Sequence, residues 1–284
     1  MVVTLLGSVA LYAGFVWVVG QYLDSLLVAA AGAAVVVGLQ VRYGRRITLS
    51  ALDARTVSSS ERPELHDRVR RVAQQAGLPA PDVAVIDSDT PNALATGLRP
   101  ETATVCVTTG LLATLGDDEL DAVLAHELAH VRNRDVAVLT TVTALTAASA
   151  LLVRNIWWFG DGGGGSDGGD GGGWLLGVVA AAAVTWLVGS LLVRAVSRYR
   201  EYTADRGAVA ITGDPAALAS ALRTVEGSTP DDDLRAGRTR ALLFADPGCD
   251  GGVTATLRRM VETHPPVASR VERLRTIQAE TTAG

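Results

Sequence analysis

The chain contains no lysine, and all 25 of its basic residues are arginine. Its 30 acidic residues give a formal net charge of −5, which argues against a broad nucleic-acid-binding surface. Cysteine is also scarce, because Cys106 and Cys249 allow at most one disulfide and form no metal-ligand pair. These shortages leave the apolar segments and the four histidines as the informative features of the sequence.

Apolar sequence is abundant, at 48% of residues, with a mean hydropathy of +0.27, and it is concentrated in a few long runs. One bilayer crossing needs about 20 apolar helical residues, so these runs predict two transmembrane hairpins. The first turns at Asp24, and the second turns in a Gly/Asp-rich loop over 160–173. A cleaved signal peptide is the alternative for the first run, but a basic leading segment and a cleavage site are missing. The predicted spans are Val2–Gly20, Leu26–Val41, Val136–Val153 and Trp174–Val193.

Arginines at the span ends predict the orientation of the hairpins, since short cytoplasmic segments carry an excess of basic residues. Only Arg154 lies at the opposite end of a span. We therefore expect a multi-pass protein of the cell (plasma) membrane, with both termini and the active site in the cytoplasm. The arginines on the cytoplasmic side are Arg42, Arg45, Arg46, Arg132, Arg134, Arg194, Arg198 and Arg200.

The polar segments predict an α+β catalytic domain that is mainly α-helical and has a small β-sheet. Residues 61–76 have helical periodicity, and Asp82–Ile86 and Ala103–Thr108 are typical strands. Asp117 or Asp118 can cap a further helix, and Asp214 can cap another. The expected organisation is a transmembrane hairpin over 1–42, a cytosolic catalytic part over 43–135, a transmembrane hairpin over 136–194 and a second cytosolic catalytic part over 195–284.

One predicted helix carries the pattern HExxH, formed by His126, Glu127 and His130. Residues i and i+4 of a helix lie about 40° apart, so both imidazoles can reach one ion. Glu127 can take a proton from a water that Zn²⁺ has acidified. The pattern also occurs by chance on salt-bridged surface helices, and a third ligand is needed to indicate a metal site.

Glu201 and Asp205 provide carboxylates at a matching i, i+4 spacing. Catalytic zinc takes three protein ligands and keeps one position open. Glu201 can bind the metal, and Asp205 can accept a hydrogen bond from a ligand histidine and fix its tautomer. We expect one Zn²⁺ per chain in a gluzincin-like site, held by His126, His130 and Glu201 close to the membrane face.

Four longer segments resemble the HtpX-type membrane zinc peptidases, which are related more distantly to the CAAX prenyl endopeptidases. The resemblance extends over nearly the whole chain, including the order of spans and ligands. It implies a zincin-like catalytic domain with His126, His130 and Glu201 as zinc ligands and Glu127 as general base. The segments are PNALATG at Pro91–Gly97, AHELAHVRNRD at Ala125–Asp135, SRYREYTAD at Ser197–Asp205 and THPPVASRVERL at Thr263–Leu274.

The resemblance also implies roles outside the metal set. His264 would face the tetrahedral intermediate; alternatively it is a structural residue with Arg270 as its partner. An edge strand would lie beside the extended substrate, and backbone pairing to such an edge accepts many peptide sequences. An aromatic residue is common in the family where Leu94 stands. The edge-strand residues are Asn92, Ala93, Leu94 and Ala95.

The predicted function is a membrane-bound, zinc-dependent endopeptidase that hydrolyses misfolded or membrane proteins at the cytosolic face, as in protein quality control. Its expected partners are polypeptide substrates and the lipid bilayer, with no nucleic acid. A CAAX-type processing peptidase is an alternative with the same chemistry, and a catalytically silent membrane scaffold is another. An intramembrane peptidase is disfavoured, because the charges around HExxH are expensive within a bilayer.

Overall fold

A computed structural model describes residues 38, 42–138, 173–228 and 266–283. Most of the predicted spans Val2–Gly20, Leu26–Val41 and Val136–Val153 lies outside these residues, as do His264 and Cys249. The chain divides into two compact units. One unit comprises 1–42, 138–196 and 243–261, and the other comprises 43–137, 197–242 and 262–284. The candidate site described below belongs to the second unit.

The described helices include the predicted ones, with small shifts at their ends. Helix α4 is capped by the backbone of Gly116, whose N–H donates to the Glu119 carboxylate at 3.1 Å, so the predicted capping by Asp117 or Asp118 is wrong. The predicted cap Asp214 is confirmed, since its Oδ1 accepts from the Ala217 N–H at 2.9 Å. The helices are α1 (42–51), α2 (Pro63–Gln75), α3 (Thr109–Thr114), α4 (Asp117–Arg132), α5 (Gly173–Thr212), α6 (Pro215–Ser228) and α7 (Val267–Ala283).

The strands form a four-stranded mixed sheet in the order β1-β2-β4-β3. Strands β2 and β4 are parallel, and β3 pairs antiparallel with β4 at the edge of the sheet. Every residue of β4 is buried, as expected of an interior strand rich in Val and Thr. The strands are β1 (Arg55–Thr56), β2 (Asp82–Ile86), β3 (Ala93–Thr96) and β4 (Thr104–Thr108).

Helix α4 lies in the main hydrophobic core of this unit, in contact with α2, α6 and β3. Leu124 and Leu128 point into that core and have no exposed surface. Full burial of one such side chain stabilises the fold by about 1.5–3 kcal/mol, so the rotation of α4 about its axis is well determined. The mainly helical architecture with a small sheet agrees with the predicted fold class.

Helix α5 has 40 residues and contains the fourth predicted span, Trp174–Val193. Within the described part of the chain, no helix combines the length and apolar character required to cross a membrane. The four spans stay predictions.

Candidate metal centre

Helix α4 places His126 and His130 one turn apart on the same face. Both imidazoles are buried, with 6% and 8% of the residue surface exposed, and their Nε2 atoms lie 3.2 Å apart. Leu124 and Leu128 are offset from the histidines by two positions, about 200° around the helix, so burial of the leucines in the core leaves both histidines on the opposite face of α4. The spacing predicted from the sequence is therefore realised in the fold.

Helix α5 brings Glu201 to the same point. Its Oε2 lies 3.5 Å from Nε2 of His126, and its Oε1 lies 3.7 Å from Nε2 of His130. The residue is 3% exposed. Gly207, two turns further along α5, allows the close approach, since a Cβ at this position would lie 2.7 Å from the Cβ of Ala129 on α4.

These three side chains could hold a metal ion, with their donor atoms all within 4.8 Å of one another. Tetrahedral zinc with ligands at about 2.0–2.1 Å requires donor atoms about 3.3–3.4 Å apart. The observed separations of 3.2, 3.5 and 3.7 Å are close to that requirement. Two imidazoles and one carboxylate are also ligands that zinc takes in catalytic sites. The residues present therefore fit a zinc ion.

Asp205 and Arg270 both lie against the imidazole ring of His126. Asp205 lies one turn after Glu201, and its Oδ1 is 3.1 Å from Nδ1 of His126. Arg270 of α7 donates from Nε and Nη2 to the two carboxylate oxygens of Asp205, and its Nη1 lies 3.3 Å from Glu201. Such a bidentate pair fixes the carboxylate in orientation as well as in position.

The electrostatics of this group favour positive charge at His126. Burial by itself would lower the pKa of His126, but hydrogen bonds to Asp205 and Glu201 outweigh burial and raise the pKa to about 9. Burial likewise opposes the charge of Asp205, yet His126 and Arg270 hold the pKa of that carboxyl below its usual value. A metal cation provides the same positive charge as the imidazole proton, which supports the metal assignment.

Asp135 and Arg200 lie beside His130, but here the arginine pairs with the aspartate by charge alone, because its buried Nε makes no hydrogen bond within the described part of the chain. The Oδ2 atom of Asp135 lies 2.6 Å from Nδ1 of His130 and 3.4 Å from Nε of Arg200. Asp135 is 3% exposed. The site thus holds more acidic than basic groups, and a divalent cation would balance the difference. The acidic groups are Glu127, Glu201, Asp135 and Asp205, and the basic groups are Arg200 and Arg270.

Glu127 is half-buried on α4, next to His126 in the chain. The charge of Glu127 acts on its neighbours. It helps to raise the pKa of Arg270, although Asp205 and Glu201 contribute more. Burial is the main cause that raises the pKa of the Cys106 thiol to about 12, and the charge of Glu127 adds to that shift. The role of Glu127 as general base stays a prediction.

The predicted substrate strand lies at the sheet edge beside α4. Ala93–Thr96 form β3, and Asn92 immediately precedes it. Ala93 and Ala95 pack on the main core together with α4, whereas Leu94 packs against a separate cluster with Cys106 and Ile86. The position of His264 is outside the described residues.

Sequence reasoning missed the contact of Arg200 and left Asp135 open between support of a metal ligand and a place at the junction of helix and membrane. The segment Arg132–Asp135 and the run around Arg200 are rich in charge, which is a weak signal for buried ion pairs beside a metal site. Arg270 was considered only as a partner of His264, and the structure instead places its guanidinium against Asp205. Arg200 and Arg270 belong to different segments from the histidines, whereas Asp135 follows His130 by five residues.

Curated relatives share most of the chain. "Protease HtpX homolog" of Moorella thermoacetica is 39% identical over 283 residues, which cover 99% of this chain and 94% of the relative. "Protease HtpX homolog 1" of Streptomyces coelicolor is 41% identical over 285 residues, covering 99% of this chain and 92% of the relative. "Protease HtpX homolog 2" of Methanosarcina acetivorans is 43% identical over 246 residues, covering 86% and 82%.

A solved structure shares the fold. The crystal structure of S. mikatae Ste24p superposes with a TM-score of 0.57 at 18% identity, over 93% of this chain and 62% of that protein. Residues 59–278, which contain every described residue of the candidate metal centre, match peptidase family M48. The chain therefore belongs to peptidase family M48.

Proposed function

We propose that this chain is a membrane-bound zinc endopeptidase that hydrolyses misfolded or membrane proteins at the cytosolic membrane face. The observation that carries the proposal is the buried set of His126, His130 and Glu201 at zinc-ligand separations, with Glu127 beside it. Membership of a peptidase family supports the reaction class. The names of the relatives, which call them proteases, support it as well.

In the proposed reaction, a zinc ion bound by this set supplies the charge that polarises a peptide carbonyl and acidifies an attacking water. The Glu127 carboxylate takes the proton from that water and delivers it to the nitrogen of the leaving amine. Asp205, itself held by Arg270, keeps His126 with its Nδ1 protonated and its Nε2 free for the metal. His264 is proposed to stabilise the oxyanion.

Strand β3 is the proposed binding edge for the substrate. Its partner β4 occupies one side, and the other side is the end of the sheet. An extended peptide can add to such an edge by main-chain hydrogen bonds, which accept many side chains. This mode suits unfolded chains, and it supports a quality-control role over processing of one defined sequence.

The test compares wild type with Glu127→Gln, each purified in detergent, stripped of metal and given Zn²⁺ again. Zinc content is measured alongside cleavage of an unfolded protein. We expect Glu127→Gln to retain zinc and to lose at least about 100-fold of the activity, the range of general-base contributions. Glu226→Gln, which changes an exposed glutamate of α6, is the control and should be fully active. Comparable cleavage by Glu127→Gln would overturn the assigned base, and failure of wild type to cleave would favour the silent scaffold.

The substrate class has its own test. Wild type is given an unfolded membrane protein and, separately, a prenylated peptide with a CAAX-type C-terminus. Efficient cleavage of the first alone is the expected result. Preference for the prenylated peptide would overturn the quality-control proposal and leave the zinc chemistry unaffected.

A further inference from the structure

The two histidines of the metal centre have similar supports that come from different parts of the chain. His126 has Asp205, and Asp205 has Arg270. His130 has Asp135, and Asp135 has Arg200. Each histidine thus has an aspartate next to its Nδ1 atom, and each of these aspartates has an arginine as an ion-pair partner. The second of these supports has no counterpart in the sequence predictions.

We propose that Asp135 and Arg200 are positioning residues of the metal centre, an inference that rests on the proposed zinc function. Asp135 accepts the Nδ1 proton of His130 over 2.6 Å, which leaves the lone pair of Nε2 directed at the metal position. Arg200 forms an ion pair with Asp135 at 3.4 Å, without a hydrogen bond, and it precedes Glu201 in α5. The pair therefore fixes His130 and Glu201 relative to each other.

Asp135 reaches His130 only because α4 ends between them. In a continuous helix, residues i and i+5 lie about 140° apart and point in different directions. Here α4 ends at Arg132, Asn133 caps it, and Arg134 adopts a left-handed backbone with φ of 55°. This turn brings Asp135 back against the last turn of the helix, where its carboxylate is buried beside the imidazole.

Two successive residues of α5 contact the two ends of the His130–Asp135 pair. The carboxylate of Glu201 faces Nε2 of His130 at 3.7 Å, and Nε of Arg200 lies 3.4 Å from Oδ2 of Asp135. Both arginine and aspartate are largely buried, with 13% and 4% of their side chains exposed. Any displacement of α5 along α4 would disturb both contacts together.

An electrostatic role and a positioning role of Arg200 predict opposite changes in zinc affinity when the residue is replaced. If its guanidinium acted only as a positive charge near a divalent cation, removing it would strengthen zinc binding. If it positions Asp135, removing it loosens His130 and weakens zinc binding, although the site becomes more negative. The direction of the change in zinc affinity therefore separates the two roles without any measurement of activity.

The experiment measures zinc affinity by competition with a chromogenic chelator, using the full-length protein in detergent. Loss of a group behind a metal ligand typically costs 10–100-fold in metal affinity, and we expect about that loss for Asp135→Asn. Arg200→Gln should weaken zinc binding in the same direction, and Arg200→Lys should recover part of it. At saturating zinc, KM for an unfolded substrate should stay within about two-fold, since we place neither residue in the substrate strand.

A matched control pair joins α4 to α2. Asp121 of α4 lies five residues before His126 and forms an ion pair over 2.7 Å with Arg68 of α2. Asp121→Asn and Arg68→Gln remove a comparable pair and should leave zinc affinity unchanged. The thermal midpoint of each metal-free variant shows whether it folds. If Asp135→Asn does not fold, Asp135→Glu, which shifts the carboxylate by one methylene, must show the weaker binding instead.

Two results would overturn the inference. One is wild-type zinc affinity in a folded Asp135 variant, and the other is tighter zinc binding by Arg200→Gln. Failure of wild type itself to bind zinc would reject the proposed function instead, so the two failures are distinguishable.

Discussion

Arg134 shows how much of the metal centre depends on the backbone of one residue. Its φ of 55° lies in the left-handed region, which costs an L-residue about 1–2 kcal/mol and which branched residues avoid. The turn it makes directs Asp135 toward His130. The side chain of Arg134 itself is exposed, so its substitution tests the backbone more than any contact.

We expect Arg134→Val to lower the free energy of unfolding by at least about 1 kcal/mol, because a β-branched residue resists this conformation. Zinc affinity should fall as well, because Asp135 is displaced. Arg134→Gly should keep both, since glycine adopts positive φ without a steric penalty. Chemical denaturation and chelator competition measure the two quantities. Equal zinc affinity for the valine and glycine variants would contradict this account of the turn.

At the scale of single residues, the sequence predicted the site residues that lie one helical turn apart. His126 and His130 are related by one helical turn, as are Glu201 and Asp205, and helix periodicity alone makes each pair converge. Asp135 was not predictable in this way, because its contact depends on a left-handed turn at a residue that is not glycine. The contacts of Arg200 and Arg270 depend on how separate segments pack, which no local pattern encodes.

At the scale of elements, small residues allow α4 and α5 to approach closely enough to share one ion. Ala129 stands between the two histidines in the sequence and faces Gly207 of α5, whose neighbours Ala204 and Ala208 are buried in the same hydrophobic core. A larger residue here would separate the helix that carries the histidines from the helix that carries Glu201. The metal centre thus depends on side chains that make no polar contact.

Gly207→Ala tests this dependence. Its Cβ would lie 2.7 Å from that of Ala129, which has no flexible end to move aside. Overpacking of this kind costs about 1–3 kcal/mol of stability, and we expect weaker zinc binding in addition. Gly227→Ala in α6 is the control, since a Cβ there meets nothing within 4 Å. A more stable Gly207→Ala variant with unchanged zinc affinity would show that the contact between α4 and α5 accommodates an additional methyl group.

Element boundaries and order differ in how far the sequence determines them. Periodicity located α2 and the strands β2 and β4, whose apolar residues follow a regular pattern. The cap of α4 was misjudged, because Glu119 reaches back to the Gly116 N–H and makes an acidic cap at Asp117 unnecessary. The parallel pairing of β2 with β4, with β3 added outside, depends on long-range packing and was not predicted.

At the scale of the whole molecule, metal binding should stabilise the unit that contains the site. A ligand bound only by the folded state adds about 2.7 kcal/mol at a concentration 100 times its dissociation constant. His126, His130 and Glu201 belong to segments 43–137 and 197–242, so an ion bound by them would link parts that are distant in the chain. Zinc should raise the thermal midpoint of the metal-free protein, as measured by differential scanning fluorimetry. His126→Ala should abolish the increase, and an equal increase in that variant would place the metal elsewhere.

The membrane topology gives the last prediction. With the Gly/Asp-rich loop over 160–173 outside and residues 43–135 inside, a cysteine at Ser166 should react with a membrane-impermeant maleimide in intact cells. A cysteine at the exposed Ser60 should react only after permeabilisation. Both changes are made in a Cys249→Ser background, where the remaining Cys106 is silent because burial removes it from the reagent and raises its pKa to about 12. The reverse labelling pattern would place the metal centre on the outer face, where chains emerging from the cytosolic side of the bilayer could not reach it.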